Sequence, residues 1–387
     1  MNAFTYSYPV KVYFGEKAAE KNLANELAKV GPNVLLAYGG GSIRRTGTYD
    51  ELIGILKAAG KNVIEFTGIM SNPTYAKVQE GANLAKKNNI DFILDVGGGS
   101  VIDCCKIVSA QAKLDQDIWE LEYTDHKQPT DFIPMGAVVT AFGTGAEMNN
   151  GAVITHTEKM LKSALWGAFY DFAILDPAYT MTMPMKQVIS GAFDTLSHCM
   201  ETYFGSPKED NLSDEINEAV MRSTIKNLRA QIANPDDKTA RSELLWAAAM
   251  GENGILKIGK ATDFQCHMME HQLGAYTDCN HGMGLSAMHV QYYRYIVEKG
   301  ADKFAKFAAR VWGVDPVGKS ELEIANAGLD ALEAFIKEIG MPSNFRELGI
   351  PDDLPWHEIA DSVTLTSGGY GHLKHEDVRK IFEACRG

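Results

Sequence analysis

The chain lacks any excess of positive charge: 37 Lys and Arg face 50 Asp and Glu, a formal net charge of −13, with a pI near 5.3. No nucleic-acid partner is expected, because such binding needs a basic surface; a local pocket for a phosphate-bearing cofactor remains compatible with that balance. No stretch approaches about 18 uninterrupted apolar residues, so neither a membrane span nor a membrane partner is expected. The opening MNAFTYSYPVKVYFG has neither the basic region nor the apolar run of a signal peptide. Cysteine is sparse, six in 387 residues, with no CxxC pair, which points to free thiols in a cytoplasmic protein. Missing too are a GxGxxG fingerprint and any repeat of about 20–50 residues, so a solenoid is not expected.

What remains is an ordinary soluble composition, 45% hydrophobic and 22% charged, in a chain longer than one core usually supports. Thr5–Phe14 is rich in aromatic and β-branched residues and reads as an edge strand, with pairing to another subunit, a homodimer, as one arrangement. Asn33–Tyr38, Asn62–Phe66, Asp91–Val96 and Ile133–Thr140 read as buried strands, and helical segments alternate with them. That alternation means βαβ units and a parallel sheet covered on both faces. Short strands at Ala152–Thr155 and around Phe172–Leu175 close this half. From Lys186 onward helical periodicity dominates, one helix being expected over Lys238–Ile258. The expected architecture is a Rossmann-like α/β nucleotide-binding domain over residues 1–184 and an all-α metal-binding and catalytic domain over 185–387. Clefts between such halves are favoured ligand sites.

Three of the ten histidines fall in CHMMEHQLGAYTDCNHG, residues 266–282. His267 and His271 are four apart on a predicted helix and share a face, as do Asp194 and His198 in GAFDTLSHCMETY. Asp194, His198 and two histidines from 267–281 make an oxygen/nitrogen ligand set suited to Fe²⁺ or Zn²⁺. Spacing alone selects His267 with His271; a capping Asp194 and hydrogen-bonded core histidines would account for the same residues without a metal. Cys199 and Cys266 adjoin candidate ligands and are turned about 100° away on a helix. Cys279 sits in a turn, and all three are read as packing residues.

Two glycine turns follow buried strands: Gly39, Gly40, Gly41 and Ser42, then Gly97, Gly98, Gly99 and Ser100 running into Val101, Ile102 and Asp103. Glycines let backbone N–H groups approach a phosphate, and the helix N-terminus favours negative charge. One such turn is explained by a tight βα connection; two strengthen the nucleotide reading. No acid follows the first strand, where an NAD site usually holds one against the ribose. Gly39, Ser42 and Arg44 or Arg45 are what a 2′-phosphate meets, which favours NADP(H).

With these pieces placed, the sequence resembles the group III, iron-containing alcohol dehydrogenase family, and within it the butanol dehydrogenase-like, NADPH-dependent aldehyde reductases. The resemblance spans nearly the whole chain. It rests on YFGE, LLAYGGGSI, SNPT, VGGGSVID, TAFGTGAEMNNGAVIT, ILDPAYT, GAFDTLSHCME, the 267–282 histidines and the closing GHLKHEDVRKI. The resemblance implies a dehydroquinate synthase-like fold with one divalent metal, Fe²⁺ or Zn²⁺, on Asp194, His198, His267 and His281. His271, freed from ligation, would face the nicotinamide and substrate and form the catalytic set with Asp103. The cofactor set it implies is Gly39, Gly40, Gly41, Ser42, Asn72, Gly97, Gly98, Gly99, Ser100, Asp103, Thr140, Thr144, Asn149 and Lys162, with Lys159 as a neighbour of Lys162. One departure is Ala146, where many relatives carry serine.

The activity so implied is reversible hydride transfer between NADP(H) and primary alcohols or aldehydes such as butanol and butanal. A dehydroquinate synthase-like lyase would need several basic residues for a carboxylated, phosphorylated substrate. The 194–281 stretch instead offers Met, Phe, Tyr and Leu. Three rival readings stay open: that lyase, a glycerol dehydrogenase-like polyol oxidoreductase, and a metal-stabilised binding protein without turnover.

Overall fold

The computed structural model describes all 387 residues, in two compact units: Ser7–Pro184, and Met185–Gly387 together with Met1–Tyr6. In the first unit, β1 (Lys11–Phe14), β2 (Asn33–Tyr38), β3 (Asn62–Phe66), β4 (Phe92–Gly97), β5 (Met135–Val139) and β8 (Phe172–Leu175) form one sheet. Its order is β1-β8-β5-β4-β2-β3, and every pairing is parallel. β2 and β4 are almost wholly buried and, Asn33 and Asp95 apart, carry no residue of strongly polar character, as strands covered on both faces do. One face carries Leu23, Leu27, Leu52 and Leu56 of two helices against Val34, Leu36, Leu94 and Val96 of the sheet.

The chain passes from β2 outward to β3 and then returns to lay β4 on the other side of β2. This reversal opens a crevice at the carboxyl ends of β2 and β4, where doubly wound sheets bind ligands. Both glycine turns sit there. A hairpin of β6 (Gly151–His156) and β7 (Leu161–Trp166) stands outside the main sheet.

Three local expectations change. The N-terminal strand is confined to Lys11–Phe14 and pairs with β8 of its own sheet, while Asn2 N donates to Gly259 O in the helical unit. β7 has no counterpart in the sequence reading, because the six-residue run LKSALW is too short for its alternation to stand out. The helix expected over Lys238–Ile258 stops at Glu252, where Gly254 takes a left-handed φ of 84° before a short 3₁₀ turn.

The second unit is helical from Met185 on, apart from loops. Its central helix, Met185–Tyr203, is buried at every position from Ala192 to Tyr203. It is flanked by helices Leu212–Ala233, Lys238–Glu252 and His281–Ile296. Burying such a helix all round places any polar residue on it under pressure to find a partner.

Candidate functional site

Asp194 and His198 project from the central helix, four residues apart, and helix Gln265–Thr277 carries His267 and His271. His281 is the first residue of helix His281–Ile296, whose N-cap Asn280 accepts from Met283 N at 3.2 Å and from Ser190 Oγ at 2.5 Å. Gly282 makes this approach feasible: a Cβ there would stand 2.4 Å from Ser190 O. Gly284 likewise lets the His281 helix lie against Glu270, with only 2.8 Å between a notional Cβ and Glu270 Cγ.

The result is a convergence on one oxygen. Asp194 Oδ1 lies 3.5 Å from His281 Nε2, 3.7 Å from His267 Nε2 and 3.8 Å from His198 Nε2. Asp194 Oδ1 and His267 Nε2 are buried and have no hydrogen-bond partner, a costly arrangement unless something else occupies the space between them. Metal–ligand bonds of about 2.0–2.2 Å in a tetrahedral site separate the ligand atoms by roughly 3.3–3.6 Å. The His281 separation falls in that range and those of His267 and His198 lie just above it, and the donor set suits Fe²⁺ or Zn²⁺.

Spacing alone pairs His267 with His271, and here the structure differs. Ligand atoms of Asp194, His267 and His281 lie within 4.8 Å of one another; His271 is not in that group, and neither is His198, which approaches it only through Asp194 Oδ1 at 3.8 Å. His271 stands beside the group instead, its ring centroid 5.7 Å from that of His281, in a second cluster with Glu270 and His281. The i, i+4 rule finds neighbours on one helix but cannot see a third helix delivering His281 from across a turn.

Electrostatics agree with a site awaiting positive charge. Burial would raise the Asp194 carboxyl, but His198, His281 and His267 hold it well below the usual range. Burial pushes His198 down, more than Asp194 can offset. For His267 burial also opposes the charged form, yet Glu201 and Asp194 outweigh it and raise the imidazole to about 10. Each therefore carries charge only where a partner of opposite sign faces it.

Two acids escaped the sequence reading. Glu201 Oε2 meets His267 Nδ1, and Glu270 Oε2 meets His281 Nδ1 at 2.5 Å. Their signal was present: Glu201 is seven residues after Asp194, on the same helical face, and Glu270 is three after His267. The cysteines stay out of the cluster. Cys199 and Cys266 are buried thiols pushed up by burial, and the Cys279 thiol lies 3.8 Å from Glu270 Oε1.

In the α/β unit the two glycine turns differ. Cβ atoms on Gly97, Gly98 and Gly99 would approach Val101, Ala141 and Thr144 to 2.5, 2.9 and 2.4 Å. Those glycines are required by packing as well as by any ligand. Gly40 has open space around it, and Ser42 is exposed. Helix Gly99–Gln111 begins beside Ser100 with no side-chain cap at Gly98, leaving its first N–H groups for an anion.

Around that turn, Thr140 N donates to Gly97 O and Thr144 Oγ1 accepts from Ala146 N. Asn149 Oδ1 accepts from the buried Lys106 ammonium at 2.8 Å, and Asp103 Oδ2 accepts from Val153 N at 2.9 Å. Asp103 thus fastens the β6–β7 hairpin to the helix. Asn72 takes a left-handed φ of 50° in the SNPT turn. Lys162 is buried on β7, whereas the Lys159 ammonium turns to Glu120 at the surface, 3.9 Å away. At the first turn Arg44 is already engaged. It donates to Tyr38 Oη and Glu65 Oε2, both at 2.6 Å, and lies 3.7 Å over the Tyr49 ring.

Comparison with known proteins points one way. Residues 9–177 match a family model described as iron-containing alcohol dehydrogenase, and residues 188–385 match the C-terminal part of the Fe-containing alcohol dehydrogenase family. The chain is 36% identical to NADH-dependent butanol dehydrogenase A of Clostridium acetobutylicum, covering 99% of each. It is 32% identical to the NADPH-dependent aldehyde reductase YqhD of Escherichia coli over the full length of both. The crystal structure of NADH-dependent butanol dehydrogenase A from Thermotoga maritima superposes with a TM-score of 0.94 at 32% identity, covering 100% of this chain and 99% of that one.

Proposed function

This chain belongs to the iron-containing alcohol dehydrogenase family, and from that premise we propose that it catalyses reversible hydride transfer between NADP(H) and primary alcohols or aldehydes of the butanol/butanal class. The observation that carries the reading is the set of three imidazole nitrogens 3.5, 3.7 and 3.8 Å from one buried carboxylate oxygen. Asp194, His198, His267 and His281 would hold a divalent cation, Fe²⁺ or Zn²⁺. When bound, the cation supplies a Lewis acid for the substrate's oxygen. His271 would serve the proton that balances hydride arrival at the carbonyl carbon, passing it to the oxygen directly or through water. Gly97, Gly98, Gly99 and Ser100 would hold the pyrophosphate at the helix start, and Thr140, Thr144, Asn149 and Lys162 would orient the nicotinamide end.

The preference for NADP(H) over NAD(H) rests on the absence of an acid in Gly39–Ser42 and on Arg44 beside it. Glu65 is the counterweight, because its carboxylate competes for the Arg44 guanidinium. A homodimer is proposed on the open edge of β1 and is checked by light scattering.

The decisive assay is oxidation of NADPH and, separately, NADH with butanal, using anaerobically purified protein with and without chelator. Turnover abolished by chelator and restored by Fe²⁺ or Zn²⁺ supports the reading. Turnover unaffected by complete metal removal overturns it.

A further inference from the structure

We propose that Glu201 and Glu270 are positioning residues for the cation, each fixing one histidine ligand through the nitrogen turned away from it. The proposal rests on the metal reading above. It begins with two carboxylates that have no exposure to solvent at all. Burying a carboxylate costs several kcal/mol unless its oxygens are met, so each must answer to something specific.

Glu201 answers to the start of helix Gln265–Thr277. That helix has Phe264 at its N-cap, in a left-handed conformation and with no side-chain cap of its own. Glu201, from the central helix, replaces it: Oε1 accepts from Cys266 N at 2.6 Å and Oε2 from His267 N at 3.3 Å. Oε2 also meets His267 Nδ1. An ionised carboxylate only accepts, so Nδ1 must carry a hydrogen, and Nε2, which faces Asp194 at 3.7 Å, is the atom that would give up its proton to a cation. Glu270 does the same for His281, its Oε2 taking Nδ1–H at 2.5 Å while Nε2 faces Asp194 at 3.5 Å.

His198 is treated differently. Its Nδ1 is buried and has no hydrogen-bond partner, and the ring is held by stacking, 4.6 Å from His267 and 5.8 Å from Phe264. Two ligands are therefore oriented by hydrogen bonds and one by packing alone. The site is not symmetric in what secures it.

A purely structural role, in which Glu201 only caps a helix, makes a different prediction from a positioning role. In Glu201→Gln the amide oxygen, in the place of Oε1, can still accept from Cys266 N, and only the longer contact with His267 N is given up. Its NH₂ then faces His267 Nδ1 and forces the ring hydrogen onto Nε2, the atom the cation needs. In Glu270→Gln the same reversal reaches His281 without touching a helix cap.

The test is anaerobic titration of the metal-free full-length protein with Co²⁺, followed by its d–d absorption, with Zn²⁺ affinity measured by chelator competition. Wild type, Glu201→Gln, Glu270→Gln and Asp194→Asn are compared, and the metal-free forms are melted in parallel. Each Glu→Gln variant is expected to bind both metals about 10- to 100-fold more weakly, with an altered Co²⁺ spectrum and a metal-free melting temperature near that of wild type. In zinc-loaded wild type with ¹⁵N-labelled histidine, the Nδ1 hydrogens of His267 and His281 should exchange more slowly than that of His198. This measurement needs no variant to fold. Wild-type metal affinity in both Glu→Gln variants, or equal exchange at all three histidines, overturns the positioning proposal. If wild type binds neither metal, or Asp194→Asn binds as tightly as wild type, the metal reading itself fails.

Discussion

Asp194 in the helical unit and Asp95 in the α/β unit are both almost wholly removed from water, yet their carboxyls move in opposite directions. Asp194 resists burial because three imidazoles face it, and it is held well below the ordinary range. Asp95, on β4 just before the glycine turn, is pushed up to about 7: burial dominates, the Tyr170 hydroxyl and Lys106 ammonium offset part of it, and Glu147 adds to it. Burial alone thus says little about whether an acid is charged; the partners decide. The helical unit has assembled anions where a cation can be held. The α/β unit keeps its buried acid near neutrality and offers a ligand backbone N–H groups instead.

The largest break in this comparison comes from Asp194→Asn. Removing the anionic centre while keeping its shape leaves three imidazoles around a neutral amide, a weaker site for a dication than one that includes a carboxylate. Metal affinity should fall by more than the roughly 100-fold typical of an indirect partner, and aldehyde reduction should fall with it. Metal analysis after dialysis, alongside turnover, checks both. Next comes Gly282→Ala, which puts a methyl group 2.4 Å from Ser190 O. The helix carrying His281 must shift, costing about 1–3 kcal/mol of stability and weakening metal binding together. Urea unfolding of the metal-free protein, with chelator competition, separates the two effects.

The same contrast explains what could be read from the chain. The βαβ alternation and the position of both glycine turns were legible because a buried parallel strand is a short apolar run ended by glycine. Asp194 with His198 was legible because i, i+4 places both on one helical face. His281 was not legible from spacing, since it reaches the cluster from a third helix through a contact that Gly282 permits. Glu201 and Glu270 were hidden for a related reason: a glutamate on a helix ordinarily reads as a solvated face, and only the packing shows both without exposure. Glu65 was missed because it lies a full strand away from the turn whose arginine it holds.

That last residue gives the third prediction, confined to the α/β unit. Arg44→Ala removes one of the two cations beside the first glycine turn, the other being Arg45, whose Nη1 lies 3.4 Å from a notional Cβ on Gly41, and should lower the NADPH-to-NADH ratio of kcat/KM by about three- to ten-fold, a modest figure because the guanidinium is solvent-screened. Glu65→Gln, which frees Arg44, should raise the ratio. A ratio unmoved by either change would mean that Arg44 takes no part in cofactor choice.

The last effect is a slope in stability rather than a change in turnover, and it belongs to Asp95. Its folded pKa of about 7 lies above the ordinary aspartate value of 3.8, so between those values the folded state holds a proton that the unfolded chain has released. Stability must then fall as pH rises through that window, by at most about 1.4 kcal/mol per pH unit from this group, and level off above pH 7. Asp194 works in the opposite sense: its depressed carboxyl contributes stability above about pH 4, which is lost as pH falls. Asp95→Asn removes the first dependence and leaves the second. Urea unfolding of the metal-free variant and wild type at pH 5, 6 and 7 should therefore show the wild type losing stability relative to Asp95→Asn as pH rises. A constant difference across the series would mean that the Lys106 ammonium, not burial, governs Asp95.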